Sequence, residues 1–179
     1  MVMCIVSTPD GQQTRTDVVI THPNRDKPAV RATRATVIVL LLASAGLVLA
    51  ITIGGFEALE GGGPIAVQGF FILVYLLLAF FAARWNRGVL PVASALAALL
   101  ATFAFVAGPA WFNRDKAGFA QPALNASLLG LLTLLVIPVQ ILLVAFAMRG
   151  FSQGWNVELE QRRPLPRSGD YGGAAPHPA

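Results

Sequence analysis

Chemistry inside a membrane needs polar atoms where hydrocarbon surrounds them, and this chain offers few. The most prominent is Gln140, in the run Ile137-Pro138-Val139-Gln140. Pro138 has no N–H for the carbonyl of Leu134, so a kink is expected there. The Gln140 amide needs partners, because an unpaired amide in hydrocarbon is costly. Gln140 lies eight residues before Met148, about 12 Å deep at a helical rise of about 1.5 Å per residue. Tyr75 and Ser44 fall at the same level, nine residues from Arg84 and from Ala35. Gln140, Tyr75 and Ser44 thus form an expected intramembrane polar contact. In it Gln140 turns inward and bonds Tyr75, Ser44 or a backbone carbonyl near Pro138. Two uses compete: an uncharged ligand contact at a broken helix, or an interhelical hydrogen bond that fixes packing.

Other chemistries lack their residues. Ionisable side chains inside spans are the usual mark of transport or proton relay, and none occurs in the four long apolar runs. Cys4 is the only cysteine, so an internal disulfide or thiolate cluster is excluded. His22 and His177 lie in the two tails, which excludes a bis-histidine haem or a histidine metal site within the membrane. Small multidrug exporters need an acid in the first span, four-span thiol enzymes need paired cysteines, and four-helix membrane cytochromes need histidines within spans. This chain meets none of these requirements. Gly61–Gly63 lacks the Lys and Ser/Thr of a phosphate loop. Asn125-Ala126-Ser127 matches a glycosylation sequon but opens a span. No cofactor is expected and no enzymatic activity.

The elements that position the polar residues follow from charge. Runs 35–56, 61–83, 88–113 and 117–148 carry no charge and are long enough to cross about 30 Å of hydrocarbon, and the two acids Glu57 and Glu60 lie in the turn between the first two. With 55% hydrophobic and 12% charged residues and a mean hydropathy of +0.65, a soluble domain is not expected, since such domains are usually about a quarter charged. The expected fold is an all-α integral membrane protein, an antiparallel four-helix transmembrane bundle with disordered polar tails. The spans are placed at about 35–54, 65–83, 89–108 and 124–148. Residues 1–34 read as a disordered tail ending in a basic collar, Arg31 and Arg34, although Val18–Ile20 could pair as a short strand. Residues 149–179 read as a second, Pro/Gly-rich tail. Arg84–Gly88 makes a tight hairpin of spans two and three, and Pro109–Ala123 reads as an interfacial loop.

Orientation follows from Lys and Arg. Eleven fall in the tails and the Arg84/Arg87 turn, and two, Arg114 and Lys116, fall on the other side. That places both termini in the cytoplasm of a cell whose plasma membrane holds the protein. Arg outnumbers Lys eleven to two, which associates with a GC-rich bacterial genome. Trp85, Trp111 and Trp155 fall near span boundaries and read as interfacial anchors, and Gln68 is expected to reach headgroups or water.

Helices in lipid associate through close backbone approach, so small residues at helical spacing mark contact faces. Three stripes qualify: Ala43, Gly46, Ala50 and Gly54; Ala93, Ala97, Ala101, Ala104 and Gly108; and Ala126, Gly130, Thr133, Ile137 and Gln140. Elimination leaves an uncharacterised multi-pass protein that acts as a structural, accessory or assembly subunit of a membrane complex. The alternative is a small transporter or channel for a neutral or amphipathic solute, using Pro138, Gln140 and Tyr75. Expected partners are the lipid bilayer and other membrane proteins or further copies of the chain, and not nucleic acid, because the basic residues flank spans.

Overall fold

A computed structural model describes residues 3–7, 13–21, 27–59, 62–113, 122–155 and 159–164. The chain divides into two units, Met1–Pro23 with Val157–Ala179, and Asn24–Asn156. The larger unit contains α1 (Pro28–Gly54), a 3-10 turn at Phe56–Ala58, α2 (Gly62–Ala83), α3 (Val89–Phe112) and α4 (Ala126–Ser152). All four helices are long and apolar enough to cross a membrane, and they pack together as an antiparallel bundle.

The helix limits have local causes. Pro28 opens α1, where its missing N–H would have had no partner anyway. Asn125 caps α4, its side chain accepting from the Ser127 N–H at 2.9 Å, which is the use this structure makes of the apparent sequon. Both α1 and α4 have 27 residues, about 40 Å at about 1.5 Å per residue, so they outrun the hydrocarbon core. Arg31 and Arg34 are therefore helical, not a disordered collar, and α4 carries Arg149 in its last turn. Long basic side chains are good helix formers and can reach polar surroundings from a helix end. Trp111 and Phe112, expected in an interfacial loop, close α3, which continues through Pro109. Phe119 lies outside the described residues.

The smaller unit differs from the expectation of disordered tails. β1 (Met3–Ser7), β2 (Gln13–Thr21) and β3 (Leu159–Pro164) form an antiparallel sheet in the order β1-β2-β3. Cys4 faces Thr16 and Val18 faces Arg162 in the registers. The short strand at Val18–Ile20 is part of β2. Neither end of the chain has the apolar residues to fold alone, but each supplies backbone partners to the other. A reading that takes each tail separately misses such a pairing. The rest of both tails lies outside the described residues.

Within the bundle, α3 packs most extensively on α4, α1 packs on α2 and α4, and α2 meets α3 only sparsely. The chain thus runs round the bundle as α2-α1-α4-α3, with a gap between the first and last. The α3 stripe is buried at Ala93, Ala97, Ala104 and Gly108, and the α4 stripe at Ala126, Gly130, Thr133 and Gln140. A Cβ on Gly108 would come within 2.7 Å of Leu134, and one on Gly130 within 2.8 Å of Phe112. These helices interlock through missing side chains, the form of packing that lipid favours.

The α1 stripe is a correction at three of its four positions. Gly54 is buried against Leu124, but Ala43, Gly46 and Ala50 face outward, and the buried face carries Val37, Leu41, Ser44, Val48 and Ile51. Helix α1 lies between two neighbours, and that space must be filled, so its large residues turn inward. A Cβ on Gly46 would meet nothing within 4 Å, whereas one on Gly150 would lie 2.9 Å from Trp155 and 3.2 Å from Leu90. Gly150→Leu should therefore lower stability by about 1–3 kcal/mol through overpacking. Gly46→Leu should stay within about 0.5 kcal/mol. Thermal melts of both variants in one detergent check this, and equal losses would contradict the assigned faces.

Candidate functional site

Ser44 on α1, Tyr75 on α2 and Gln140 on α4 are each fully buried. They meet at the centre of the bundle. The Tyr75 hydroxyl donates to Gln140 Oε1 at 2.9 Å, and Gln140 Nε2 donates to Ser44 Oγ at 2.9 Å. The Ser44 hydroxyl in turn donates to the Leu40 carbonyl at 2.7 Å. The backbone carbonyls near Pro138 are not Gln140's partners; the two side chains are. Pro138 itself is exposed, and α4 continues through it.

Each proton in this chain has one direction, from tyrosine through amide and serine to a backbone oxygen. The hydroxyl of Ser44 has a single proton, already committed, so it must accept from the amide. This order fixes the amide orientation. The relay ends on a peptide carbonyl and contains no group that ionises readily, so it holds helices rather than moving protons. Bonds of this kind in bundles average about 0.6 kcal/mol and reach about 1.7 kcal/mol.

A second polar bridge, not anticipated from the sequence, joins Thr52 on α1 to the side-chain amide of Gln68 on α2. Thr52 also donates its proton to the Val48 carbonyl at 2.7 Å. The Thr52 hydroxyl thus faces two acceptors, Gln68 Oε1 and the Val48 carbonyl, which share its single proton. Gln68 is thus bound to α1 rather than turned to headgroups. Thr52 lies two residues from the end of α1, and the turn that follows brings it to α2.

Near this bridge lies a cavity of about 370 Å³ bounded by all four helices, with Ile51, Val67, Phe71, Phe103 and Val136 among its walls. Gln68 and Thr133 are its polar edges, and the Thr133 hydroxyl is already committed to the Leu129 carbonyl at 2.7 Å. Ser44, Tyr75 and Gln140 do not line it. The Phe71 ring stands edge-on to both Tyr75 and Phe103, each at 6.0 Å between centroids, and so separates the cavity from the tyrosine.

The opposite end of the bundle gathers aromatic and basic residues. The expectation that all three tryptophans anchor at the membrane surface fails for two of them. Trp155 is fully buried and Trp111 nearly so, while Trp85 is half-buried. Trp111, at the far end, packs against Gly55, where a Cβ would lie 2.7 Å from its ring. Trp155 follows Gly154, whose φ of 59° reverses the chain after α4 and folds the indole back beneath Gly150. Its Nε1–H donates to Gln153 Oε1 at 3.3 Å, Gln153 Nε2 donates to Thr33 Oγ1 at 3.1 Å, and Thr33 donates to the Ala29 carbonyl at 2.9 Å. The end of α4 is thereby tied to the start of α1.

Trp85 adopts φ 63°. Its N–H donates to the Ala82 carbonyl and the Asn86 N–H to the Phe81 carbonyl, both at 3.1 Å, the paired bonds of a Schellman ending to α2. Glycine normally occupies that left-handed position, and a side chain there costs on the order of 1–2 kcal/mol. The ring is held by its surroundings: Trp155 meets it edge-on at 5.9 Å, and the Arg34 guanidinium lies 4.1 Å above it.

Among the described residues, no group of three or more His, Cys, Asp or Glu side chains could hold a metal ion. Comparison with protein-family models, with curated proteins and with solved structures finds no match to this chain.

Proposed function

We propose that this chain is a non-enzymatic structural, accessory or assembly subunit of a membrane complex, carried in the plasma membrane with both termini in the cytoplasm. The observation that supports the reading is the saturated polar centre. Gln140, Tyr75 and Ser44 satisfy one another, are sealed from the exterior, and stand apart from the cavity. A substrate contact would leave polar groups open to a solute, whereas a bracing contact consumes them. The open seam between α2 and α3 leaves helix faces for other membrane proteins or another copy of the chain.

Extraction of the protein from its own membrane in mild detergent, followed by native mass spectrometry, tests the assignment. One or more polypeptides in fixed stoichiometry are expected. A lone monomer that supports solute flux when reconstituted would overturn it. Orientation is checked by single-cysteine labelling in a Cys4→Ala background. Position 57 should react in intact cells, and position 86 only after lysis; the reverse pattern would refute cytoplasmic termini.

A second reading, a small transporter for a neutral or amphipathic solute, is favoured by one feature, the apolar cavity with Gln68 and Thr133 at its edges. Its volume falls in the range of ligand pockets, about 300–1,000 Å³. Flux that falls on Val136→Phe or Phe71→Trp, which fill the cavity, would support this reading over the first.

A further inference from the structure

Charge in the described part of the helical unit is segregated completely. Lys27, Arg31, Arg34, Arg84, Arg87 and Arg149 all lie where α1 begins, α2 and α3 join and α4 ends. Its one described acid, Glu57, lies at the other end. Three of the five arginines there lie against aromatic rings. Arg34 stacks on Trp85 at 4.1 Å, Arg87 on Phe151 at 4.3 Å, and Arg84 lies 5.1 Å from the centre of the Phe80 ring. Arg87 Nε is buried with no hydrogen-bond partner, while the residue as a whole is only half-buried. Its stem is therefore packed in place, and the terminal nitrogens are left as its outward donors.

We propose that this end of the bundle binds the phosphate group of an anionic phospholipid, with Arg34 and Arg87 as the principal donors. Stacking on a ring fixes the plane of a guanidinium and satisfies its faces, but leaves the N–H edge in need of an acceptor. A phosphate offers paired oxygens that match that edge. At the level of a helix end the acceptor in reach is the lipid headgroup, and basic pockets between spans take such headgroups. The strained backbone of Trp85 points the same way. A glycine would relieve the strain, yet the tryptophan provides the surface on which Arg34 lies and links it to the buried Trp155. Strain kept at one residue by its neighbours is a mark of a site arranged for use.

Native mass spectrometry of the full chain, released from nanodiscs holding equal phosphatidylglycerol and phosphatidylcholine, tests the proposal. The wild type should retain phosphatidylglycerol and strip phosphatidylcholine. Each arginine near a membrane surface contributes about a fivefold factor, so Arg34→Gln/Arg87→Gln should weaken retention by about 25-fold. Arg34→Lys/Arg87→Lys keeps the charge but loses the paired donors, and should fall between the two. The lysine pair also serves as the test if the glutamine pair does not fold. Equal retention of both lipids, or glutamine or lysine variants that retain phosphatidylglycerol as the wild type does, would overturn the proposal. Inorganic phosphate in detergent, without lipid, should give no thermal shift. A shift matching that of phosphatidylglycerol would assign the site to a soluble phosphate and overturn the lipid assignment.

Discussion

Trp155→Ala should destabilise the bundle by about 3–5 kcal/mol, the largest effect expected of any single truncation in the described chain. Trp155 lies beyond the last turn of α4, where sequence position alone would suggest a tolerant site. It is nevertheless fully buried, and it fills the space that Gly150 leaves open between α4, Leu90 of α3 and Thr33 of α1. Truncation removes the indole, the edge contact to Trp85 and the donor to Gln153 together. Trp155→Phe keeps most of the packing and loses the N–H, so its cost should be nearer 1 kcal/mol. Reversible unfolding in mixed micelles separates the two variants. A Trp155→Ala loss below 1 kcal/mol would mean that the indole is not part of the packed end.

Gln140→Lys should cost at least about 2.5–3.5 kcal/mol, the penalty for a lysine at the centre of a span, and leave little folded protein in the membrane. The ammonium would find the Ser44 and Tyr75 oxygens but no opposite charge, at a position with no exposure. Gln140→Leu should cost only about 1.2 kcal/mol, because two bonds of about 0.6 kcal/mol each are lost without a charge being buried. Tyr75→Phe removes one of the two and should cost about half as much, and the pair together less than the sum, since both remove that same hydrogen bond. Equal tolerance of leucine and lysine at position 140 would show that water reaches the site.

The level and partners of Gln140 were legible because rise per residue alone aligns it with Tyr75 and Ser44. The stripes on α3 and α4 were legible for a related reason: small residues there recur at steps that stay on one face. On α1 the same pattern of small residues, Gly54 apart, points outward, since a helix wedged between two others fills its inner face by size. The pairing of Thr52 with Gln68 depends on how tightly the turn after Gly54 closes, which spacing does not give. The sheet joins segments near opposite ends of the chain, beyond the reach of any local pattern. Trp155 was misread because its burial depends on a left-handed Gly154, and Trp111 because α3 continues through Pro109 and carries the indole against Gly55.

The proposed function requires a polar centre that is sealed and structural. Its most direct test is reactivity of Gln140→Cys, in a Cys4→Ala background, toward a membrane-impermeant thiol reagent applied to both faces of open membrane sheets. Glu57→Cys, exposed at the turn after α1, serves as the reactive reference. The expected result is full modification at position 57 and none at position 140 over the same interval. Comparable modification at both would place water beside Gln140 and contradict the structural reading.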